Sequence, residues 1–224
     1  VPACIECHQP HKVRRVYYEE GVSSKECLDC HGKHELVTTR KGETVSLYID
    51  AAVAHDSAHK DVACAQCHTG ATPSLDRSCS TVIDKVDCSI CHADQVSQHN
   101  TSTHGQLLAK GDPDAPDCDS CHGTHNIMRN NDIDSPTYVS NIATLCGECH
   151  GSGEVVDSRR EGGMTGMVEN YEESVHGRAM QESGLIVSAT CTHCHTAHMV
   201  LPQENLESSI HRANIVDTCS NCHK

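Results

Sequence analysis

Eight segments of the chain place two cysteines three positions apart, with a histidine directly after the second cysteine. This pattern, C-x-x-C-H, uses 16 of the 17 cysteines in the 224 residues. The cysteine pairs are Cys4 and Cys7, Cys27 and Cys30, Cys64 and Cys67, Cys88 and Cys91, Cys118 and Cys121, Cys146 and Cys149, Cys191 and Cys194, and Cys219 and Cys222. The histidines that follow them are His8, His31, His68, His92, His122, His150, His195 and His223.

The trailing histidine decides what these cysteines do. A CxxC pair alone is compatible with a disulfide or with half of a zinc site. Histidine makes up 19 of 224 residues, so its presence after all eight pairs is not a coincidence of composition. CxxCH is the attachment pattern of c-type haem, in which both thiols bond the porphyrin and the histidine is the proximal iron ligand. The sequence therefore predicts eight covalent c-type haems.

The composition agrees with a cofactor in place of a conventional core. The chain has no Phe or Trp, and aromatic residues are 2% of the total. One haem for about every 28 residues would supply the missing apolar interior. The formal charge of −14 argues against nucleic acid as a partner. No apolar run is long enough to predict a transmembrane segment, and the absence of a leader at Val1 is interpreted as an export signal already removed.

Eleven further histidines are candidates for the second axial ligand. Four follow a proximal histidine by three residues, a reach of at most about 10 Å. This is too short to pass round a porphyrin, so each is expected to ligate a neighbouring haem. Three others share an S-x-H context, and the eighth candidate stands in the similar string SSIHR. The predicted distal ligands are His11, His34, His125, His198, His59, His104, His176 and His211.

Five side chains remain outside this assignment. His55, His99 and His193 are left over, and Met199 is an alternative axial ligand. Cys79 belongs to no motif and has no free partner within the chain. It is interpreted either as a buried inert thiol or as the site of a disulfide to another subunit.

An internal repeat organises the second half of the chain. Residues 99–150 and 171–223 align at an offset of 72 to 73 residues. In this alignment His99 corresponds to Tyr171, and Tyr138 corresponds to His211. Residues 1–70 form a more diverged unit, and one elongated domain over 1–224 is predicted. The predicted fold class is mostly irregular coil with short α-helices and one small β-hairpin, built around haem. The helices are expected at 101–110, 139–147, 169–182 and 211–219, the hairpin at Leu36 to Ile49, and a flexible loop at Gly151 to Gly166.

Two strings carry a family resemblance, CHADQVSQHNTSTHGQLLAKGDPDAPDCDSCHGTHNI and YEESVHGRAM followed by CTHCHTAH. They resemble the multihaem cytochromes c of bacteria and archaea, including octahaem respiratory cytochromes and the subunits of extracellular cytochrome nanowires. The resemblance extends over essentially the whole chain. It implies bis-histidine haems in alternating parallel and perpendicular pairs.

The function predicted from these features is electron transfer without catalysis. In its sharpest form the chain polymerises head to tail into an extracellular or cell-surface filament, since haem motifs lie at both ends. Its partners would be further copies of itself, redox proteins or extracellular acceptors. Another hypothesis is a small haem protein that docks on a separate membrane quinol oxidase. It differs from the electron-transfer hypothesis above only in its partner. The alternative is a periplasmic reductase of small nitrogen or sulfur compounds, but no motif reads CxxCK and the histidines suffice to cap every iron.

Overall fold

Short helices and one hairpin, joined by irregular backbone, make up the described chain. The computed structural model describes residues 23–69, 85–159 and 166–224. This architecture confirms the predicted fold class. The predicted residues Cys4, Cys7, His8, His11 and Cys79 lie outside the described ranges. Two units are distinguished, Val1–Asp87 and Cys88–Lys224.

The first unit contains three helices and the hairpin. The elements are α1 (Ser24–His31), β1 (Val37–Arg40), β2 (Glu43–Ser46), α2 (Ala51–Asp56) and α3 (Cys64–Cys67). Helix α1 begins at a capping box in which Ser23 and Glu26 satisfy each other's backbone N–H groups. The strands pair antiparallel in a register that sets Val37 opposite Ser46. Gly42, with φ of 88°, supplies the left-handed turn that the hairpin requires.

The second unit contains nine helices in its described residues. They are α4 (Ser89–Thr101), α5 (Thr103–Ala109), α6 (Cys118–His122), α7 (Ile142–His150), α8 (Val155–Arg159), α9 (Met167–Glu172), α10 (Val175–Gln181), α11 (Cys191–His195) and α12 (Ile215–Ser220). Three of the four predicted helices overlap α5, α7 and α12. The helix predicted over 169–182 is divided at Ser174, which caps α10. Helix α8 lies inside the predicted loop, where Arg159 donates to both carboxylate oxygens of Asp112.

The apolar core of the described residues is very small. Its buried hydrophobic members are Ile142, Ala143, Met180 and Leu201. Large apolar side chains elsewhere face outward, among them Val175 at 71% and Val187 at 75% exposure. A polypeptide of this size needs more buried apolar surface than these side chains supply. These four side chains are therefore too few to form an ordinary apolar core in the described residues.

Both aligned segments contain the same hydrogen bonds from an asparagine side chain to backbone a few residues earlier. The Asn141 side chain donates to the carbonyl oxygens of Ile133 at 2.9 Å and Ser135 at 2.8 Å. Asn214, 73 residues later, donates to those of Leu206 at 2.8 Å and Ser208 at 2.9 Å. In each case the amide fastens an irregular loop to the start of the helix that leads into a CxxCH motif. We call residues 99–150 the first copy and residues 171–223 the second copy.

Candidate haem attachment and ligand sites

Each described CxxCH motif lies on or beside one turn of helix. The motif helices are α1, α3, α4, α6, α7 and α11, and α12 ends one residue after the first cysteine of the last motif. Side chains three residues apart share a face of a helix, so the two thiols of a motif point to the same side. In the part of the chain that the structure describes, the fourteen motif cysteines form no disulfide. This arrangement presents two nucleophilic sulfur atoms side by side, as attachment to one porphyrin requires.

The residue before the second cysteine often caps the motif helix. Gln66 accepts from the backbone N–H of Ala63 at 3.0 Å, and Ser120 accepts from that of Asp117 at 3.1 Å. His193 occupies this position in α11, where its Nδ1 accepts from the backbone N–H of Thr190 at 3.2 Å. The Thr190 hydroxyl lies 3.0 Å from the same nitrogen. Helix capping thus accounts for His193, which the sequence left over.

Three pairs of histidine rings face each other in the second unit, and each joins a proximal histidine to a predicted distal one. The ring centres of His104 and His150 are 6.1 Å apart, and the rings are tilted by 59°. Those of His122 and His198 are also 6.1 Å apart, with an angle of 21°. His176 and His223 complete the set at 6.0 Å and 49°. All six residues come from the histidines named by the sequence.

The separation within these pairs fits a bis-histidine haem. An imidazole nitrogen binds a transition metal at about 2 Å, and the ring centre lies about 1 Å beyond it. Two rings on opposite sides of one iron therefore have centres about 6 Å apart. Together with the small protein core, this spacing shows that the residues present suit haem c. The proximal histidine of each pair would bind one side of the iron and its partner the other.

The S-x-H-G string holds the distal histidine in two of these pairs. The Ser102 hydroxyl caps α5 by accepting from the Gly105 N–H at 3.1 Å, and Ser174 caps α10 by accepting from the Gly177 N–H at 3.2 Å. The histidine between them therefore lies in the first helical turn. A Cβ at Gly105 would collide with the His99 carbonyl oxygen. The sequence shows the repeated S-x-H-G string but not that glycine is needed for this close approach.

The hairpin positions a proximal histidine in the first unit. Nδ1 of His31 lies 2.9 Å from the Leu47 carbonyl oxygen, and because a carbonyl can only accept, this nitrogen carries the proton. Nε2 is thereby left with its lone pair, as an iron ligand needs. The backbone N–H of Ile49 also donates to the His31 carbonyl at 2.7 Å. The segment after β2 thus sets both the tautomer and the orientation of His31.

The other predicted distal histidines have varied surroundings. His34 stacks on the Tyr48 ring with centres 3.7 Å apart. The backbone N–H of His59 donates to the Ser57 hydroxyl at 3.2 Å, while His125 is exposed. Nδ1 of His211 accepts from the Ala213 N–H at 3.1 Å. The roles of these four residues as iron ligands stay predictions.

The exchange of His99 for Tyr171 between the copies has a structural reason. Nε2 of His99 donates to the Pro116 carbonyl oxygen at 3.2 Å. The Tyr171 hydroxyl donates to the Ala189 carbonyl oxygen at 3.1 Å, and Ala189 is the equivalent of Pro116 in the second copy. Either ring can thus fasten its helix to the segment before a CxxCH motif. His55, also left over by the sequence, is exposed beside Asp56.

Thiols of successive motifs lie beside one another in the second unit. Burial, and then the neighbouring Cys88, raises the pKa of Cys118. Burial, and then Cys149, raises the pKa of Cys121. A hydrogen bond between Cys146 and Cys191 raises the pKa of Cys146 and lowers that of Cys191 to about 7. Burial, and then Cys219, raises the pKa of Cys194. The five motifs of this unit are therefore neighbours in the order of the chain.

The surroundings of several of the paired imidazoles favour the neutral form by lowering the pKa. Burial, and then the facing His150, lowers the pKa of His104. Burial, and then the facing His198, lowers the pKa of His122, and burial lowers that of His198 as well. Only a neutral imidazole can donate a lone pair to a metal. The environment of these three residues thus favours the ligand form.

Comparison with known proteins bears on the first part of the chain. Residues 2–83, which include three CxxCH motifs, match the family described as Cytochrome c3. The chain matches no curated protein and no solved structure. In the described residues, no helix has both the length and the apolar character needed to span a bilayer. Over residues 2–83 the chain is similar to the cytochromes c3, which supports a multihaem c-type cytochrome with covalently bound haem and a role in electron transfer.

Proposed function

We propose that the chain conducts electrons through eight c-type haems, each held by two histidines. The observation that carries the proposal is the set of three imidazole pairs with ring centres 6.0 to 6.1 Å apart. Each pair joins one CxxCH motif to a histidine remote in sequence. Haem supplies an iron that gains and loses one electron, with a potential set by its ligands and burial. Two histidine ligands leave no coordination position for a substrate, so the proposed function is transfer rather than catalysis.

One of the pairs links the two copies. His122 belongs to the first copy and His198 to the second, so a haem between them would bind both segments. His198 is itself three residues beyond the proximal His195. Its backbone therefore connects the ligands of two haems over a few residues. Such a connection keeps neighbouring irons close, which supports rapid transfer between them.

The order of the motifs supports a continuous path. Cys88 lies beside Cys118, Cys121 beside Cys149, Cys146 beside Cys191 and Cys194 beside Cys219. Because each thiol marks where one porphyrin edge is attached, successive porphyrins are expected to be neighbours. An electron entering at one end of the second unit would then pass through all five sites.

The chain is proposed to work outside the cytoplasm, where c-type attachment takes place. The cytochrome c3 match is compatible with a secreted or periplasmic protein, and we favour the extracellular space or cell surface. Its partners would be redox proteins, extracellular acceptors or further copies of the chain. Head-to-tail contact of copies would extend the path into a filament.

The number of haems and their ligation are tested on the native protein. Mass spectrometry is expected to give the mass of the polypeptide plus eight porphyrins. Electron paramagnetic resonance of the oxidised protein is expected to show low-spin iron only. A smaller number of porphyrins, or a high-spin signal in the unaltered protein, would contradict the proposal and favour an open catalytic iron.

His198→Ala tests the ligand pairing, with His193→Ala in the preceding helix α11 as the control. His198→Ala removes the imidazole opposite His122 and is expected to convert one haem of eight to high spin. His193→Ala removes only the cap at Thr190 and should cost about 1 kcal/mol of stability with the spin state unchanged. If His198→Ala stayed fully low-spin, His198 would not be a ligand.

A further inference from the structure

The backbone directly after the proximal His195 is strained. Thr196 has a φ of 63° and a ψ of 166°, a combination that glycine adopts far more readily than any other residue. Gly123 holds the equivalent position in the first copy, with a φ of 74° and a ψ of −175°. Both copies therefore make the same turn after a CxxCH motif, and the second copy makes it with a β-branched residue. A residue in this conformation persists only where its surroundings hold it there.

The side chain of Thr196 closes the turn. Its hydroxyl donates to the Met199 carbonyl oxygen at 2.8 Å, which encloses His198 in a loop of four residues. In the first copy the equivalent space is filled from the other end of the loop, because a Cβ at Gly123 would lie 2.5 Å from Oδ1 of Asn126. The second copy thus fills the turn with the side chain of the strained residue itself.

The three carbonyl groups that follow His198, those of residues 199–201, are all hydrogen-bonded. The first accepts from the Thr196 hydroxyl. The second accepts at 2.9 Å from the Thr103 N–H at the start of α5, in the first copy. The third accepts at 3.1 Å from the hydroxyl of Ser208, which is 2% exposed. Hydrogen bonds from both copies therefore hold the backbone from which the His198 ring projects.

The histidine pair that joins the two copies differs in geometry from the two pairs that lie within a copy. The rings of His122 and His198 are inclined by 21°, whereas the other two pairs are inclined by 59° and 49°. Each imidazole donates electron density to iron in a direction set by its ring plane. The angle between two ligand planes therefore affects the splitting of the iron d orbitals and with it the electron paramagnetic resonance spectrum. A contact that fixes the His198 ring would give this haem a spectrum of its own.

We propose that Thr196 is a positioning residue, whose hydroxyl holds the strained turn so that the His198 ring stays nearly parallel to the His122 ring. Thr196 acts through His198 on the haem attached at Cys118 and Cys121. This inference rests on the proposed function for the presence of iron between the two rings. The backbone conformation and the three hydrogen bonds after His198 stand on the structure alone.

Electron paramagnetic resonance of the oxidised, haem-loaded chain tests the role of the hydroxyl. Thr196→Val removes the donor but keeps the branched shape, and it should move about one-eighth of the integrated low-spin signal to different g values. Thr196→Ser keeps the donor and should reproduce the unaltered spectrum. Thr196→Gly decides the matter if valine prevents folding, because glycine adopts this turn at Gly123. It should give the same loss of the original signal as valine.

Thr101→Val is the matched control. The Thr101 hydroxyl also donates to a backbone carbonyl, that of Ser97 at 2.9 Å, but within α4. Its removal should leave the spectrum unchanged.

The proposal fails if Thr196→Gly keeps the unaltered spectrum, or if Thr196→Ser or Thr101→Val changes it as much as Thr196→Val does. Loss of haem or of folding in Thr196→Gly would make the role of Thr196 structural only and would also overturn the proposal. Fewer than eight porphyrins or a high-spin signal in the unaltered chain would instead reject the proposed function. Eight low-spin haems in every variant with identical spectra would leave the proposed function standing and reject the role of Thr196.

Discussion

The first and second copies are built on the same frame but end in different surroundings. Their capping serines, their loop-fastening asparagines and their paired histidines occupy equivalent positions. Yet Ala143 is 7% exposed and Val216 is 69% exposed at equivalent sites. The comparison teaches that the two copies share a local frame while the burial of equivalent side chains differs between them. Predictions that alter one copy at a time can test this separation.

Glycine substitutions in the S-x-H-G strings should have the largest effect. A Cβ at Gly105 would lie 2.8 Å from the Asn100 Cα, and one at Gly177 would lie 2.6 Å from the Glu172 Cα. Gly105→Ala and Gly177→Ala should each destabilise the chain by about 3 kcal/mol, since backbone must move to admit the methyl group. Guanidinium unfolding followed by circular dichroism measures the change.

Gly147→Ala is the control for this pair, because its Cβ would make an ordinary contact with Val168 at 3.6 Å. It should leave the unfolding midpoint almost unchanged. If Gly177→Ala were tolerated while Gly105→Ala was not, the two copies would not share a frame at this position.

The asparagine side chains come next in expected effect. Asn141→Ala and Asn214→Ala each remove two hydrogen bonds to carbonyl oxygens, leaving those oxygens without a side-chain donor. The loss should be about 2 kcal/mol in either copy. Similar midpoints for the two variants would support an autonomous frame. A much smaller loss at Asn214 than at Asn141 would show instead that the two loops differ in how strongly the rest of the chain stabilises them.

Exchange of the aromatic donors should have the smallest effect. His99→Tyr and Tyr171→His keep a ring that can donate to the carbonyl oxygen of Pro116 or Ala189. These swaps should cost little, while His99→Phe and Tyr171→Phe should lose about 1 kcal/mol. All four variants should keep low-spin spectra. A high-spin haem in His99→Tyr would make His99 an iron ligand after all.

Local sequence patterns predicted the attachment motifs, the hairpin and four helical segments, whereas helices α1, α2, α3, α6 and α11 were not predicted. The CxxCH motif predicts haem attachment without further information, because its two thiols are three residues apart and share a helical face. Alternation in LVTTRKGETVSLYI predicted the hairpin, and α5, α7 and α12 overlap predicted helices. The division between α9 and α10 was missed because the helical pattern continues through Ser174, while the Ser174 side chain caps a new helix. Helix α8 was missed because nearby glycines suggested only a loop.

The sequence by itself determined eight thiol pairs, each with an adjacent histidine, and these predict haem attachment because attachment needs only residues within one helical turn. It also supplied the histidines from which the proposed second ligands are drawn. Only the tertiary structure decided which ring faces which, since His122 meets His198 through packing between residues far apart in the chain. Tertiary packing alone likewise buried Ile142 and left Ile215 exposed, because burial depends on which element lies opposite a helix and not on the helix itself.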